Sequence, residues 1–385
     1  MGLPGRLGHK IGGQSNPLRY NDPMSRALIA WPGVPLALLS AALFGISTPF
    51  AKLLLGDGVS SWLLAGLLYL GSGLGLAVLQ LMRKASGKVL AEAPLRRPDL
   101  PWFALVVLSG GVIAPVLLMF GLAMTAASTA SLLLNLESLA TMALAWVLFG
   151  ENVDRRLLLG AAAILAGAVL LSWQGGPEGF GWGAAAIAAA CLAWGLDNNL
   201  TRRLSAADPM QIAMIKGLAA GAVNLILALI AGAQVPSATA IGGAAVIGFI
   251  GYGVSLVLFV FGLRHLGAAR TGAYFATAPF IGALVAIALL GEPLTLRLLI
   301  AGLLMALGLY LHLAEAHEHE HRHEALEHEH RHAHDAHHQH PHGPGDPEGE
   351  PHTHRHRHLP LVHKHPHYPD LHHRHAHSHG HANAH

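Results

Sequence analysis

Two groups of residues in this chain could do chemistry. The larger is a set of histidines: 26 of the 29 lie between His317 and His385. They recur as His-x-His through His317, His319, His321 and His323, through His328, His330, His332 and His334, through His354, His356 and His358, and through His375, His377 and His379. Neutral imidazole is a good ligand for zinc, nickel, copper and cobalt. A spacing of two puts ligands on one side of an extended chain, and a spacing of four on one side of a helix, so multidentate, exchangeable binding of divalent transition metals follows. The segment carries six Lys/Arg against ten Asp/Glu, which excludes a polybasic arm for lipid or nucleic acid. With so few apolar residues it cannot build a core, and the expectation is a disordered tail. Histidines spread over 69 residues amid Glu, Arg and Pro do not resemble a purification tag.

The second group is small and lies among apolar residues: Lys52, Glu137, Asp197 and Lys216. A charge at the centre of a bilayer costs at least about 2.5–3.5 kcal/mol, so each needs a reason to be there. Glu137 is too deep in its apolar run to reach water, and Ser131, Asn135, Ser138 and Met142 recur around it at helical spacing as a polar stripe expected to line a pathway. The structural alternative is a protonated acid hydrogen-bonded to a neighbouring helix. Asp197-Asn198-Asn199 supplies a carboxylate and amides that suit a cation, or else sits at the membrane interface. Lys52 and Lys216 are expected to snorkel, and His265, in a loop, to be solvated.

The elements that must position these groups are membrane helices. Of 385 residues, 52% are hydrophobic and only 12% charged, against roughly 25% charged in an ordinary soluble domain. Apolar runs long enough to cross a hydrocarbon core of about 30 Å predict helices near 34–55, 60–82, 101–123, 128–149, 156–173, 181–201, 209–231, 240–263, 271–290 and 295–313. The first 30 residues are basic without an apolar core, so no signal peptide is expected. The one cysteine, Cys191, has no partner for a disulfide or a thiolate metal site. With the N-terminus cytoplasmic, fifteen Lys/Arg fall in inside segments, while the outside loops hold Arg297 alone, with Lys52 near the outer end of the first helix. Both termini are therefore expected in the cytoplasm, in a multi-pass protein of the inner membrane.

The chain also repeats itself. Shifted by 141 residues, Gly121-Leu122 falls on Gly262-Leu263, Gly150-Glu151 on Gly291-Glu292, Arg156 on Arg297 and Gly167 on Gly308, with 12 identities over residues 121–170. A shift of 150 puts Gly45 on Gly195 and Lys52 on Arg202, and sets Ser47-Thr48-Pro49 against Asp197-Asn198-Asn199. Five helices duplicated give an inverted second copy, with a binding site expected near the midplane between the halves. The expected fold is thus an all-α polytopic membrane protein of ten helices in two inverted five-helix repeats. The divisions are a cytoplasmic segment at 1–32, a first repeat at 33–174, a second at 180–313 and the His-rich tail at 314–385.

The ten-helix plan, the aromatic-Gly start of each half (Phe44-Gly45, Trp194-Gly195) and the two Gly-Glu pairs resemble the drug/metabolite transporter superfamily, specifically a pair of EamA-type domains over about 34–313. The resemblance implies a secondary carrier, often an exporter of amino acids, metabolites or toxic compounds, working by alternating access. The second half has Ala278-Pro279 where such proteins usually carry proline, whereas the first has Glu137-Ser138; Pro49 and Pro279 are read as helix breaks.

These readings converge on a proton-coupled exporter of a divalent transition metal such as nickel, cobalt or zinc, the tail capturing ions and Glu137 with Asp197 exchanging them for protons. Exporters of amino acids or other small metabolites with a metal-sensing tail are the alternative, and a non-transporting metal sensor or store is a third. No nucleophile motif, phosphate loop or His/Cys centre in the helices suggests an enzyme. No cofactor is required beyond metal ions on the tail; the expected partners are the bilayer and a small solute or metal ion, with no nucleic acid and with room for a homodimer.

Overall fold

The computed structural model describes residues 33–86, 94–149, 155–173, 181–204, 207–313, 318–322, 326–332, 352–358 and 362–366. Predicted features at 1–32, at Gly150-Glu151 and at His317, His323, His334, His375, His377 and His379 lie outside them. The helices run in chain order as α1 (Gly33–Gly56), α2 (Ser61–Ala85), α3 (Leu100–Val106), a π-helix (Val107–Ile113), α4 (Ala114–Met124), α5 (Ala127–Leu133), α6 (Leu136–Phe149) and α7 (Arg155–Ser172). The second half follows with α8 (Trp182–Leu204), α9 (Pro209–Ile230), α10 (Ala238–Ile247), a second π-helix (Gly248–Val254), α11 (Ser255–Phe275), α12 (Ala278–Leu290) and α13 (Leu296–Leu313). Among the described residues, eight stretches are long and apolar enough to cross a membrane. The other two predicted spans, α8 and α13, are helices that do not meet that apolar length. Large side chains such as Val78, Val147, Ile230 and Leu303 are more than half exposed, as expected of a surface that faces lipid rather than water.

The repeat predicted from sequence recurs in backbone details that a sequence comparison does not contain. The π-helices at 107–113 and 248–254 stand 141 residues apart, as do α7 and α13. The break between α5 and α6 falls at 134–135, and the break between α11 and α12 at 276–277. Packing follows the same symmetry: α1 lies on α11 and α12, and its counterpart α8 lies on α4 and α6, while α2 pairs with α9 and α7 with α13. The main contacts therefore join one half to the other.

Glycines make the two self-paired contacts possible, since close backbone approach is how membrane helices gain packing energy. A methyl on Gly217 would stand 2.6 Å from the Gly73 nitrogen, and one on Gly221 would stand 2.5 Å from that of Leu70. Between α7 and α13, Gly160 faces the Gly308 carbonyl and Gly167 that of Ala301. The repeat carries 160 to 301 and 167 to 308, so these two contacts exchange under one two-fold operation.

Two details correct the sequence expectations. Pro49 does not break its helix: α1 runs through it from Gly33 to Gly56. A membrane helix tolerates the lost hydrogen bond, and residue 45, four positions earlier, is a glycine seated against the Ala278 backbone. Pro279, by contrast, sits in the first turn of α12, just after a break, where its missing N–H costs nothing. Second, the predicted loop at 264–270 is helical within α11, yet Thr271 packs on Gly262 at 2.8 Å from its would-be Cβ. Nine residues of straight helix would separate them by about 13 Å, so the chain folds back between the two.

Within the tail, expected to lack structure, four segments pair as strands. β1 (Glu318–Arg322) lies antiparallel to β4 (Val362–Pro366), and β2 (Leu326–His332) antiparallel to β3 (His352–His358). The reason is the alternation itself: His-x-His with charges between is a two-residue period, which is that of a strand.

Candidate functional site

The centre of the bundle holds a small cavity of about 60 Å³ lined by Phe44, Tyr69, Glu137, Trp194, Asp197, Asn198, Lys216, Tyr252, Ser255, Phe259 and Phe275, among others. Both halves contribute: α1, α2 and α6 from the first, α8, α9, the second π-helix and α11 from the second. The aromatic rings meet edge-on or tilted. Phe44 lies 6.0 Å from Trp194, 5.6 Å from Tyr252 and 5.3 Å from Phe275, and Tyr69 lies 5.4 Å from Tyr252. Phe44 and Trp194 are the repeat-related aromatics, so the two halves touch through equivalent residues at the heart of the cavity.

The first π-helix sets up this wall. Seven residues wound with wider hydrogen bonding loosen the α-helical bonding around Gly110 and Gly111. The Gly110 carbonyl accepts from the Tyr69 hydroxyl at 2.6 Å and from the Trp194 indole N–H at 3.0 Å, and the Gly111 carbonyl accepts from the Asn224 amide at 3.1 Å. Gly110 must be glycine here, because a Cβ would overlap the Asp197 carboxylate.

Four of the residues picked from sequence reach the cavity: Glu137, Asp197, Asn198 and Lys216. Lys216 does not snorkel as expected. It is buried, with Nζ 2.5 Å from Asp197 Oδ2, and Thr201 donates to the other Asp197 oxygen at 3.1 Å. Glu137 lies in the first turn of α6, where Oε1 accepts from Asn198 at 2.8 Å. Thr141, one turn on, donates to the Glu137 carbonyl and takes a weaker contact from Asn198. Asn199 ties α8 to α6 by donating to the Thr141 carbonyl at 3.0 Å.

The other candidates do not line the cavity. The expected stripe Ser131, Asn135, Ser138 and Met142 is interrupted by the break after α5, so helical spacing does not carry across it. Asn135 instead donates to the Leu132 carbonyl and approaches Met305 of α13. Ser138 bonds the Asn135 carbonyl, and Ser131 sits against Gly282 of α12. Ser47 bonds the Phe44 carbonyl in its own helix, and Thr48 is buried beside it. The aromatic wall was missed in the sequence: Phe44 and Trp194 drew notice only as part of a motif, and Tyr69 and Tyr252 not at all. The available signal was a polar-tipped ring in mid-span, with Gly on both sides of Tyr252.

Lys52, also expected to snorkel, caps a helix end: its Nζ donates to the carbonyls of Leu122 at 2.6 Å and Thr125 at 2.9 Å, closing α4. From the opposite half the Glu292 carboxylate accepts from the N–H groups of Ala127 and Ser128 at 2.7 and 2.8 Å, opening α5. Cation at a helix C-terminus and anion at an N-terminus are the placements the helix dipole favours. Gly291 makes the second possible by ending α12 in the left-handed region at φ 65°, which turns Glu292 towards α5.

A bundle of membrane helices in two interlocked inverted halves, enclosing a mixed polar and aromatic cavity at their interface, defines a multi-pass membrane transporter. The chain belongs to the EamA-like transporter family, whose model matches residues 31–173 and 181–314 as two domains. It is 29% identical over 293 residues to an uncharacterized transporter of Methanothermobacter thermautotrophicus, covering 71% of this chain and 84% of that one. It is 25% identical to the uncharacterized inner membrane transporter YedA of Escherichia coli, over 62% and 78% of the two chains. A protein of Streptantibioticus cattleyicolor named a probable terminal-alkyne amino-acid exporter is 28% identical over 57% of this chain and 78% of its own. A solved crystal structure at 20% identity superposes with a TM-score of 0.56, covering 73% of this chain and 95% of the other, which shows a shared fold.

Proposed function

We propose that the chain is a secondary exporter of small organic solutes bearing an amine, amino acids or compounds like them, with Glu137 as the group that alternates between substrate ammonium and proton. The observation that carries this is the cavity wall: among the described residues, one carboxylate without a cationic partner, Glu137, set among Phe44, Tyr69, Trp194, Tyr252, Phe259 and Phe275. Lys216 is committed to Asp197, so the charge left to meet a ligand is that of Glu137. Aromatic faces around a carboxylate bind an organic ammonium well, with cation–π contacts of about 0.5–2 kcal/mol each. The relative named as an amino-acid exporter supports the same class.

This reading displaces the divalent metal that the sequence analysis put first. Among the described residues of the helices no three His, Cys, Asp or Glu come together as a metal would need, and apolar rings offer such an ion nothing. The positive-inside pattern orients both termini to the cytoplasm, so export runs from the side of the tail, driven by inward proton movement.

The test is uptake into inverted membrane vesicles under a proton gradient. Radiolabelled amino acids, their des-amino acid analogues and nickel would be compared for the wild type and Glu137→Gln. Uptake that requires the amine and falls at least tenfold in Glu137→Gln supports the proposal. Nickel uptake that depends on Glu137 overturns it.

A further inference from the structure

The strand register of the tail sorts its residues by chemistry. In β2–β3, His328 stands opposite His356, His330 opposite His354 and His332 opposite His352. The alternate positions pair Glu327 with Arg357, Glu329 with Arg355 and Arg331 with Thr353. In β1–β4, His319 stands opposite His365 and His321 opposite His363, and between them Glu320 is opposite Lys364. Residues directly opposite in an antiparallel ladder share a face, and so do residues two apart along a strand. One face of β2–β3 therefore carries six histidine positions in three rungs, with His358 opposite Leu326 at its end, and one face of β1–β4 carries four in two rungs. The other face carries a carboxylate across from a cation at two of three pairs in β2–β3 and at one of three in β1–β4.

We infer that each ladder is a transition-metal site built from consecutive His–His rungs, the primary one formed by the rungs 328/356 and 330/354. Opposed Cα atoms lie about 4.5–5.5 Å apart, and positions two apart on a strand about 7 Å, so two rungs set four imidazole-bearing positions at the corners of one small rectangle. Four nitrogen ligands from such a patch match zinc, nickel or copper. The charge pairs on the opposite face select this register, since a cross-strand pair of opposite charges contributes roughly 0.2–1 kcal/mol and like charges oppose pairing. A two-stranded ladder is marginally stable at best on its own. Metal binding is therefore coupled to ladder formation, and the ion supplies the free energy that the missing core does not. This site is distinct from the transport cavity, and its existence does not depend on what that cavity carries.

The discriminating experiment keeps the composition of the tail constant. In the full-length protein, His354→Arg, Arg355→His, His356→Arg and Arg357→His are combined, which leaves the number of histidines unchanged but moves two of them off the rungs 330/354 and 328/356 and breaks the 327/357 and 329/355 charge pairs. Zinc and nickel are titrated against a chromophoric chelator with purified wild type and variant, and backbone ordering of the tail is followed by hydrogen exchange. The expected result is at least a tenfold loss of the tightest binding class in the variant, with zinc-dependent protection of residues 326–332 and 352–358 in the wild type alone. Equal affinity and stoichiometry in the two proteins would mean that a His-rich chain binds metal by composition, and the ladder proposal falls.

Discussion

At the scale of single residues, the cavity turns on two carboxylates given different company by one helix contact. Asp197 is bound to a buried ammonium, whereas Glu137 is bound to a neutral amide, so the first is structural and the second is available. Removing one member of a buried pair strands the other, at a cost of about 3–5 kcal/mol, whereas replacing both by groups of similar shape is often tolerated. Asp197→Asn alone is therefore expected to lower the thermal unfolding midpoint in detergent sharply, and Asp197→Asn combined with Lys216→Met to recover most of the loss. A double variant no better than the single one would show that the pair is not the source of the effect. Glu137→Gln keeps an oxygen for Asn198 and should leave the midpoint within a degree or two while transport is lost. The sequence made Glu137 and Asp197 visible because charge is conspicuous in an apolar run. The partner of Asp197 was not visible: Lys216 lies 19 residues away on the next helix, and only the fold reveals that its ammonium points inward.

At the scale of elements, the departures from ideal helix do the positioning. Two π-helices and two breaks, each pair related by the repeat, free backbone carbonyls and turn the ends of helices inward at equivalent depths. Because Gly110 has no room for a Cβ, Gly110→Ala should collapse the Asp197 site and abolish transport. Gly242 and Gly272 have nothing within 4 Å of the same position; alanine there should be neutral or stabilising by up to about 1 kcal/mol, as a helical glycine replaced in open space predicts. Yield and transport of the three variants check the contrast. Glu292→Ala removes the cap on α5 and, on the scale of N-cap substitutions, should cost about 1 kcal/mol. Glu292→Gln retains an acceptor and should cost less, as thermal unfolding of the pair would show. None of the π-helices announced itself, because the residues 107–113 and 248–254 are as apolar as any α-helical stretch and differ only in hydrogen-bond register.

At the scale of the whole molecule, each half packs chiefly on the other. Expressed alone, residues 1–176 or 177–385 would expose the faces that α1, α2 and α7 turn towards α11, α9 and α13, and neither is expected to accumulate in the membrane. Co-expression should restore both, as immunoblotting of membrane fractions would reveal. The helix order and the duplication were legible because lipid demands long apolar runs and because Gly, Glu and Arg stand out against them. The direction in which each helix faces was not, since a run apolar on all sides has no periodicity to read, and the stripe around Glu137 failed where its helix breaks. The exchange of the Gly160–Gly308 and Gly167–Ala301 contacts under one rotation has a historical reading. In a five-helix ancestor each pair would have been the same two residues meeting across two copies of one gene product, so that protein had to enter the membrane both ways up. Fusion of the copies removed that requirement, and the bias of Lys and Arg towards alternate loops of the sequence is the record of an orientation that only the joined chain could afford to fix.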